Sequence, residues 1–264
     1  MSVRERSQRL VRAVHAALFR GALPDQIALY FHTLDSADWE SFRRLVQFLC
    51  EEQGYSVTDP LGFIARSSHP SLFISFDDNY WSWYEARRLF DSLHIRVTFY
   101  VNTLPFECAE GSRELEDYYR RVRHSGARAP LTREALRALH ADGHTVGAHT
   151  HSHPMLMALP EAEARREIAW SKELLEEIVG APVIHFAYPY GMRRHFSESL
   201  RSICLAEGFS TIANGIPAML HSVQLPERIQ RSPWRLDRPL EYNLMNLRID
   251  GRLFERVTGR SAVG

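Results

Sequence analysis

The sequence predicts an α/β protein built on a mostly parallel sheet, open or closed into a barrel. Short apolar runs alternate with stretches of helical periodicity, the spacing that parallel crossovers need. The chain has 264 residues, 45% of them hydrophobic, enough for one large domain with a core of its own. No internal repeat or low-complexity segment interrupts the alternation.

The elements follow in order. "IALYF" (27 to 31) reads as a strand, and "SADWESFRRLVQFLCEEQG" as a helix capped by Ser36 and stopped by Gly54. "LFISF" (72 to 76) is a second strand, followed by an aromatic-rich helical stretch to Leu93 and a strand "IRVTFYV" (95 to 101). Thr132 caps "REALRALHADG", which leads into the strand "HTVGAH", and Pro160 suits the first turn of a long helix ending at Gly180. "VIHFAY", a helix through Ala206 to Gly208, and "FSTIA" continue the pattern, and the tail after Pro226 reads as a strand and a closing helix. We read residues 1–264 as a single domain with a motif core of about 26–213, an N-terminal helix (1–22) and a C-terminal segment (226–264) as extensions.

Composition narrows the function classes. Lysine plus arginine and aspartate plus glutamate each number 32, so the chain lacks the basic field of a general nucleic-acid binder, and no nucleic-acid partner is expected. Cys50, Cys108 and Cys204 are odd in number and far apart, which fits a reducing compartment and no cysteine metal site. No run is apolar enough for a signal peptide or a transmembrane segment, so the expected location is cytoplasmic. The Arg-rich N-terminal helix offers peripheral contact with an anionic membrane or packs on its own domain.

In parallel α/β folds the carboxyl ends of the strands open onto the binding face. Four polar groups fall there: Asp77 and Asp78, Asn102 and Thr103, His149 to His153, and Tyr188 to Tyr190. In "HTHSH", a helical turn sets His149 and His153 on one side and His151 elsewhere. Two imidazoles and a carboxylate make a three-ligand site for zinc or a similar divalent ion; the plainer reading is a polar loop. Adjacent carboxylates repel, so one of Asp77 and Asp78 needs a compensating cation, leaving the other to take a proton from an activated water. An Asx turn closing the strand is the alternative. Trp81, Trp83 and Tyr84 follow, with Trp81 the candidate stacking platform for the C–H face of a sugar.

"SFDD" (75 to 78), "HTHSHP" (149 to 154) and "FAYPYG" (186 to 191) together resemble, in order and spacing, the first three motifs of the NodB-homology polysaccharide deacetylases, carbohydrate esterase family 4. "FAYPYG" and "IALYFHT" are similar to the exopolysaccharide deacetylase branch. The resemblance implies a distorted (β/α) barrel carrying a divalent ion, zinc first, and a carbohydrate substrate bearing an N-acyl group. It implies Asp77 as general base, Asp78, His149 and His153 as metal ligands, and the backbone N–H of Tyr190 as oxyanion donor. The implied reaction removes an N-acetyl group from an amino sugar in a polysaccharide or glycan precursor. A deformylase or O-deacetylase acting on a lipid-linked or small sugar is one alternative; a catalytically weak carbohydrate-binding protein is another.

The sequence departs from the family at three places. Asn79 stands where the family has Gly, and is expected to take that residue's positive φ. Ala187 replaces the arginine that pairs with the base, so Asp77 needs another partner: Arg193, Arg194 or a residue from a different loop. The Leu-x-His motif that supplies the general acid is missing, which leaves His32 and His221 as candidates. Residues 104–130 are expected to form a lid or specificity loop, or a solvated helix, and the eight arginines of the tail to meet a phosphate or simply to line its surface.

Overall fold

The computed structural model describes residues 23–65, 68–123, 129–218 and 223–248. The N-terminal helix, with its membrane contact, and His221 lie outside the described residues.

Six strands form the frame: β1 (Gln26–Phe31), β2 (Ser56–Val57), β3 (Ser71–Asp78), β4 (Thr98–Val101), β5 (Thr145–Ala148) and β6 (His185–Ala187). Three more close it: β7 (Thr211–Asn214), β8 (Ile229–Gln230) and β9 (Ser232–Pro233). Neighbours run in the order β8-β7-β6-β5-β4-β3-β1-β9, every pairing between them parallel, with β2 on the first residues of β3. β8 and β9 stand at opposite ends of this order, yet only Arg231 separates them in sequence. The chain therefore bridges the seam itself and nearly closes the sheet into a barrel, which no short strand could do by pairing on one side alone.

Helices fill the crossovers, as parallel strands require. They are α1 (Trp39–Gln47), α2 (Pro60–Ile64), α3 (Ser82–Glu85), α4 (Arg87–Ser92), α5 (Arg113–Arg121), α6 (Arg133–Ala141), α7 (Glu161–Val179), α8 (Glu198–Ala206) and, after the last strand, α9 (Leu240–Leu247). Thr132 caps α6 as expected, its Oγ1 accepting from the Ala135 N–H at 3.1 Å, and Gly180 ends α7 at φ 69°. Ser36 is not a cap: it opens a short 3-10 turn ahead of α1, which then runs on as a wider π turn over Phe48–Glu52 before Gly54. Among the described residues, no helix is long and apolar enough to cross a membrane.

The two-residue period of β3 sorts its side chains. Leu72, Ile74 and Phe76 join the large cluster under the helices, whereas Phe73 lies in a small interior cluster with Ala28, Tyr100, Ala187, Ala213 and Ile229. Asp77 continues the interior row of Phe73 and Ser75. Where Tyr100 crosses the barrel, only glycine fits opposite: a Cβ on Gly147 would stand 2.6 Å from its ring.

Two buried histidines couple this core to pH. Burial pushes the His144 and His185 imidazoles down to about 4, while the unfolded chain titrates near the ordinary 6.5. His144 accepts from the Val97 N–H at Nδ1, and His185 bonds the Thr211 hydroxyl. Below pH ~6.5 the unfolded state binds more protons, so stability held above that value drains away as pH falls towards 4, by roughly 3 kcal/mol per histidine at the limit. Urea midpoints of chelated protein should fall steadily between pH 7 and 4.5, and a His144→Asn/His185→Asn variant should show a shallower slope. Equal slopes would contradict the assignment.

Candidate metal centre and base

β3 ends in a strained step. Asp78, not Asn79, takes the left-handed conformation, at φ 83°, which corrects the expectation for Asn79. Asn79 serves through its side chain: Nδ2 donates to the Asn102 carbonyl at 2.9 Å and Oδ1 accepts from the Leu131 N–H at 2.8 Å. The turn is thus tied to the end of β4 and to the segment before α6. It leaves Asp77 facing the barrel interior and swings Asp78 towards β5.

The segment after β5 is likewise a loop with left-handed residues, not a helical turn: Thr150 has φ 68° and His153 φ 58°. Thr150 Oγ1 accepts from the His153 N–H at 3.1 Å and closes the loop. Asn102 fastens it from outside by donating to the carbonyls of His149 and Thr150. His149 and His153 consequently share one side, while His151 leaves it, bonding Thr103 at 2.9 Å and stacking flat on Trp170 at 4.1 Å.

Asp78 Oδ1 lies 3.6 Å from His149 Nε2 and 3.4 Å from His153 Nε2, and one ligand atom from each residue falls within 4.8 Å of the others. All three side chains are buried. His149 Nδ1 donates to the Ala187 carbonyl at 2.7 Å, which fixes the tautomer and leaves Nε2 bare, the arrangement of a metal-ligating histidine. Asp78 Oδ2 accepts from the Tyr80 hydroxyl at 3.0 Å, but Oδ1 is buried with no hydrogen-bond donor. An orphaned carboxylate oxygen beside two imidazoles is costly unless a cation completes it, so the donor set fits a divalent ion. Burial, only partly offset by His32 and His149, raises the Asp78 carboxyl above its usual range when no cation is present.

Asp77 is held differently. Arg231, wholly buried at the seam, grips it with a two-pronged fork: Nη1 to Oδ1 at 2.6 Å and Nη2 to Oδ2 at 2.8 Å. The guanidinium also donates to Ser75 Oγ and the Asn214 carbonyl, and lies between the Tyr30 and Tyr100 rings at 5.1 and 4.9 Å. Burial alone would push the Asp77 carboxyl up, but the Arg231 charge and hydrogen bonds, with help from His149 and His32, hold it below the ordinary carboxylate value. Arg231 was not foreseen by name. It fills the role left open by Ala187 from a loop distant in sequence, and locally it is one arginine among eight in the tail.

A cleft of about 440 Å³ collects Asp77, Asp78, His149, His153, Arg231, His32 and Tyr190. His32 is exposed at its rim, its backbone carbonyl fixed by Trp83 Nε1. Tyr190 has φ 64°, and its ring meets that of His153 edge-on at 4.8 Å. The next residue, Gly191, must be glycine, since φ is 62° and a Cβ would stand 2.5 Å from the Gly215 nitrogen. His195 is a further cleft histidine that the sequence did not single out. Trp81 is absent from this lining: it packs against Tyr84 and faces a separate hollow with Phe106 and Tyr119, while Trp83 is core. Arg193 and Arg194 do not pair with Asp77. The described part of the 104–130 excursion packs down through Leu115, Tyr118 and Tyr119 and gives Arg121, Val122 and Arg123 to the cleft wall, so that part is neither a purely solvated helix nor remote from the site.

Comparison with known proteins agrees with this fold. The chain is 28% identical over 87 residues to chitin deacetylase 1 of Cryptococcus neoformans var. grubii, a match covering 33% of this chain and 18% of that enzyme. It is similar in fold to the Streptococcus pyogenes deacetylase PplD solved with acetate, with a TM-score of 0.65, 18% identity, and 84% and 97% of the two chains covered. It is equally similar to IcaB from Ammonifex degensii, with a TM-score of 0.65, 19% identity, and 85% and 97% covered. The sequence model of the polysaccharide deacetylase family matches residues 65–209, a span that includes both aspartates, both facing histidines and the Tyr190 turn. Since that span is more than half of the chain, the protein belongs to the polysaccharide deacetylase family.

Proposed function

We propose that this protein hydrolyses the N-acyl group of an amino sugar, with Asp78, His149 and His153 holding a divalent ion, zinc first, and Asp77 acting as general base. The observation that carries the reading is one cleft in which a fork-held carboxylate stands next to an Asp-His-His cluster with an orphaned oxygen. An ion held there would supply Lewis-acid polarisation of the acyl carbonyl and activation of water near neutral pH. Arg231 keeps Asp77 ionised and fixes its direction, so that the carboxylate is ready to accept a proton. The Tyr190 N–H, which has no acceptor among the described residues, is suited to meet the oxyanion that develops on the carbonyl. His32, exposed on the same rim, is the candidate donor of a proton to the leaving amine. Trp81 is given no part in binding at this centre.

The likeness to a chitin deacetylase makes N-acetylglucosamine oligomers the first substrates to try. Zinc-loaded wild type should release acetate from them or from a precursor sugar; formate or O-linked acetate as the product would identify the alternative chemistry. Asp77→Asn should lower turnover by ~10²-fold or more while zinc stays bound. Equal turnover by Asp77→Asn would remove Asp77 as base, and no acyl release from any such sugar would remove the enzyme reading.

A further inference from the structure

Resting on that reading, we propose that the acylated sugar carries a phosphate ester, and that Arg121, Arg123 and Arg194 bind it at the mouth of the cleft. All three line the same cleft as Asp77 and Asp78. Among the described residues the two aspartates are its only carboxylates, one held in the Arg231 fork and the other placed in the candidate metal-ligand cluster. Among the described residues, the mouth therefore carries three guanidinium charges with no carboxylate of its own lining to pair them.

Many arginines elsewhere are paired; among the described residues Arg43, Arg88 and Arg166 also lack a carboxylate within 4 Å, but none of these lines the cleft. Arg120, next to Arg121, pairs with Asp117, and Arg133, Arg165, Arg228 and Arg235 each have a carboxylate within 4 Å. Among the described residues, Arg121, Arg123 and Arg194 have none. Arg121 is steadied by donating from Nε to the Ser152 carbonyl at 2.9 Å, and Arg194 donates to His195. Each thereby keeps guanidinium N–H groups for a ligand. Several forked donors around one opening suit a multiply charged oxyanion better than a neutral sugar hydroxyl. The low-dielectric walls focus their field into the cleft.

The phosphate has two chemical sources, a nucleotide-linked and a lipid-linked sugar. Tyr190 and Met192, on either side of the Gly191 turn, are exposed large apolar side chains in the same lining, a surface that a lipid chain could cover.

The test measures binding to zinc-loaded Asp77→Asn protein, so that no turnover occurs, and repeats it after chelation, so that phosphate held by the ion is separated from phosphate held by arginine. The probes are N-acetylglucosamine 1-phosphate, UDP-N-acetylglucosamine, a short-chain polyprenyl diphosphate N-acetylglucosamine, chitotetraose and N-acetylmuramic acid. Phosphate-bearing sugars should bind at least tenfold tighter than chitotetraose, weaken with added salt, and keep their preference after chelation. Arg121→Gln/Arg194→Gln should bring the preference to within about threefold. The nucleotide and polyprenyl arms name the source by which binds tighter. Equal binding of chitotetraose, equal binding of the carboxylate-bearing sugar, a preference lost on chelation, or one retained in the double variant would each overturn the proposal. Acyl release from neutral oligomers together with any of those results would sink this inference and leave the proposed function standing.

Discussion

Arg231→Met should cost the fold about 3–5 kcal/mol, because it leaves the Asp77 carboxylate buried with its main counter-charge gone. The burial that now opposes ionisation would then act largely unopposed, and the Asp77 pKa would rise. A base works only when ionised, so activity disappears as pH falls through its pKa, and raising that pKa moves the acid limb of the pH–rate profile upward. Turnover near neutrality should drop with it. Arg231→Lys keeps a positive charge but not the planar fork, and should fall between the two. Adding Asp77→Asn to Arg231→Met should restore much of the lost stability, the mark of an uncompensated charge and not of lost packing. Denaturant midpoints and pH–rate profiles of the four proteins check this. An Arg231→Met protein with wild-type midpoint and wild-type acid limb would refute it.

Zinc binding should fail on replacing either facing histidine. His149→Ala and His153→Ala each remove one of three donors, and the affinity should fall by more than the ~10–100-fold that follows from losing a group that merely supports a ligand. Zinc at a hundred times its Kd stabilises the wild type by about 2.7 kcal/mol, a gain these variants should lack. His151→Ala is the control: its ring is stacked on Trp170 and bonded to Thr103, so zinc binding should persist. Calorimetric titration and thermal unfolding with and without zinc give both readouts. Wild-type affinity in His153→Ala would break the ligand set.

Much of this was legible in the sequence because it is local. The alternation of apolar runs with helical patterns announced the parallel sheet, and Thr132 and Gly180 marked helix ends through backbone chemistry that needs no distant partner. The site's acidic and imidazole groups were legible for a similar reason, since strand carboxyl ends converge on one face and each motif sits at such an end. Local patterns also misled where a neighbour decided the outcome. The positive φ moved from Asn79 to Asp78 because Asn102 and Leu131 claimed the Asn79 side chain. Trp81 went to a separate hollow because Tyr84, one helical turn on, offered it a packing partner.

By itself, then, the sequence determined the layers of the fold, the carboxylate pair and the histidines that face it, all consequences of short-range periodicity and residue chemistry. Only the tertiary structure decided what holds the base. Arg231 stands 154 residues from Asp77 and reaches it because the chain between β8 and β9 crosses the seam of the barrel there. No local pattern encodes that closure, since it exists only once the first and last strands have met.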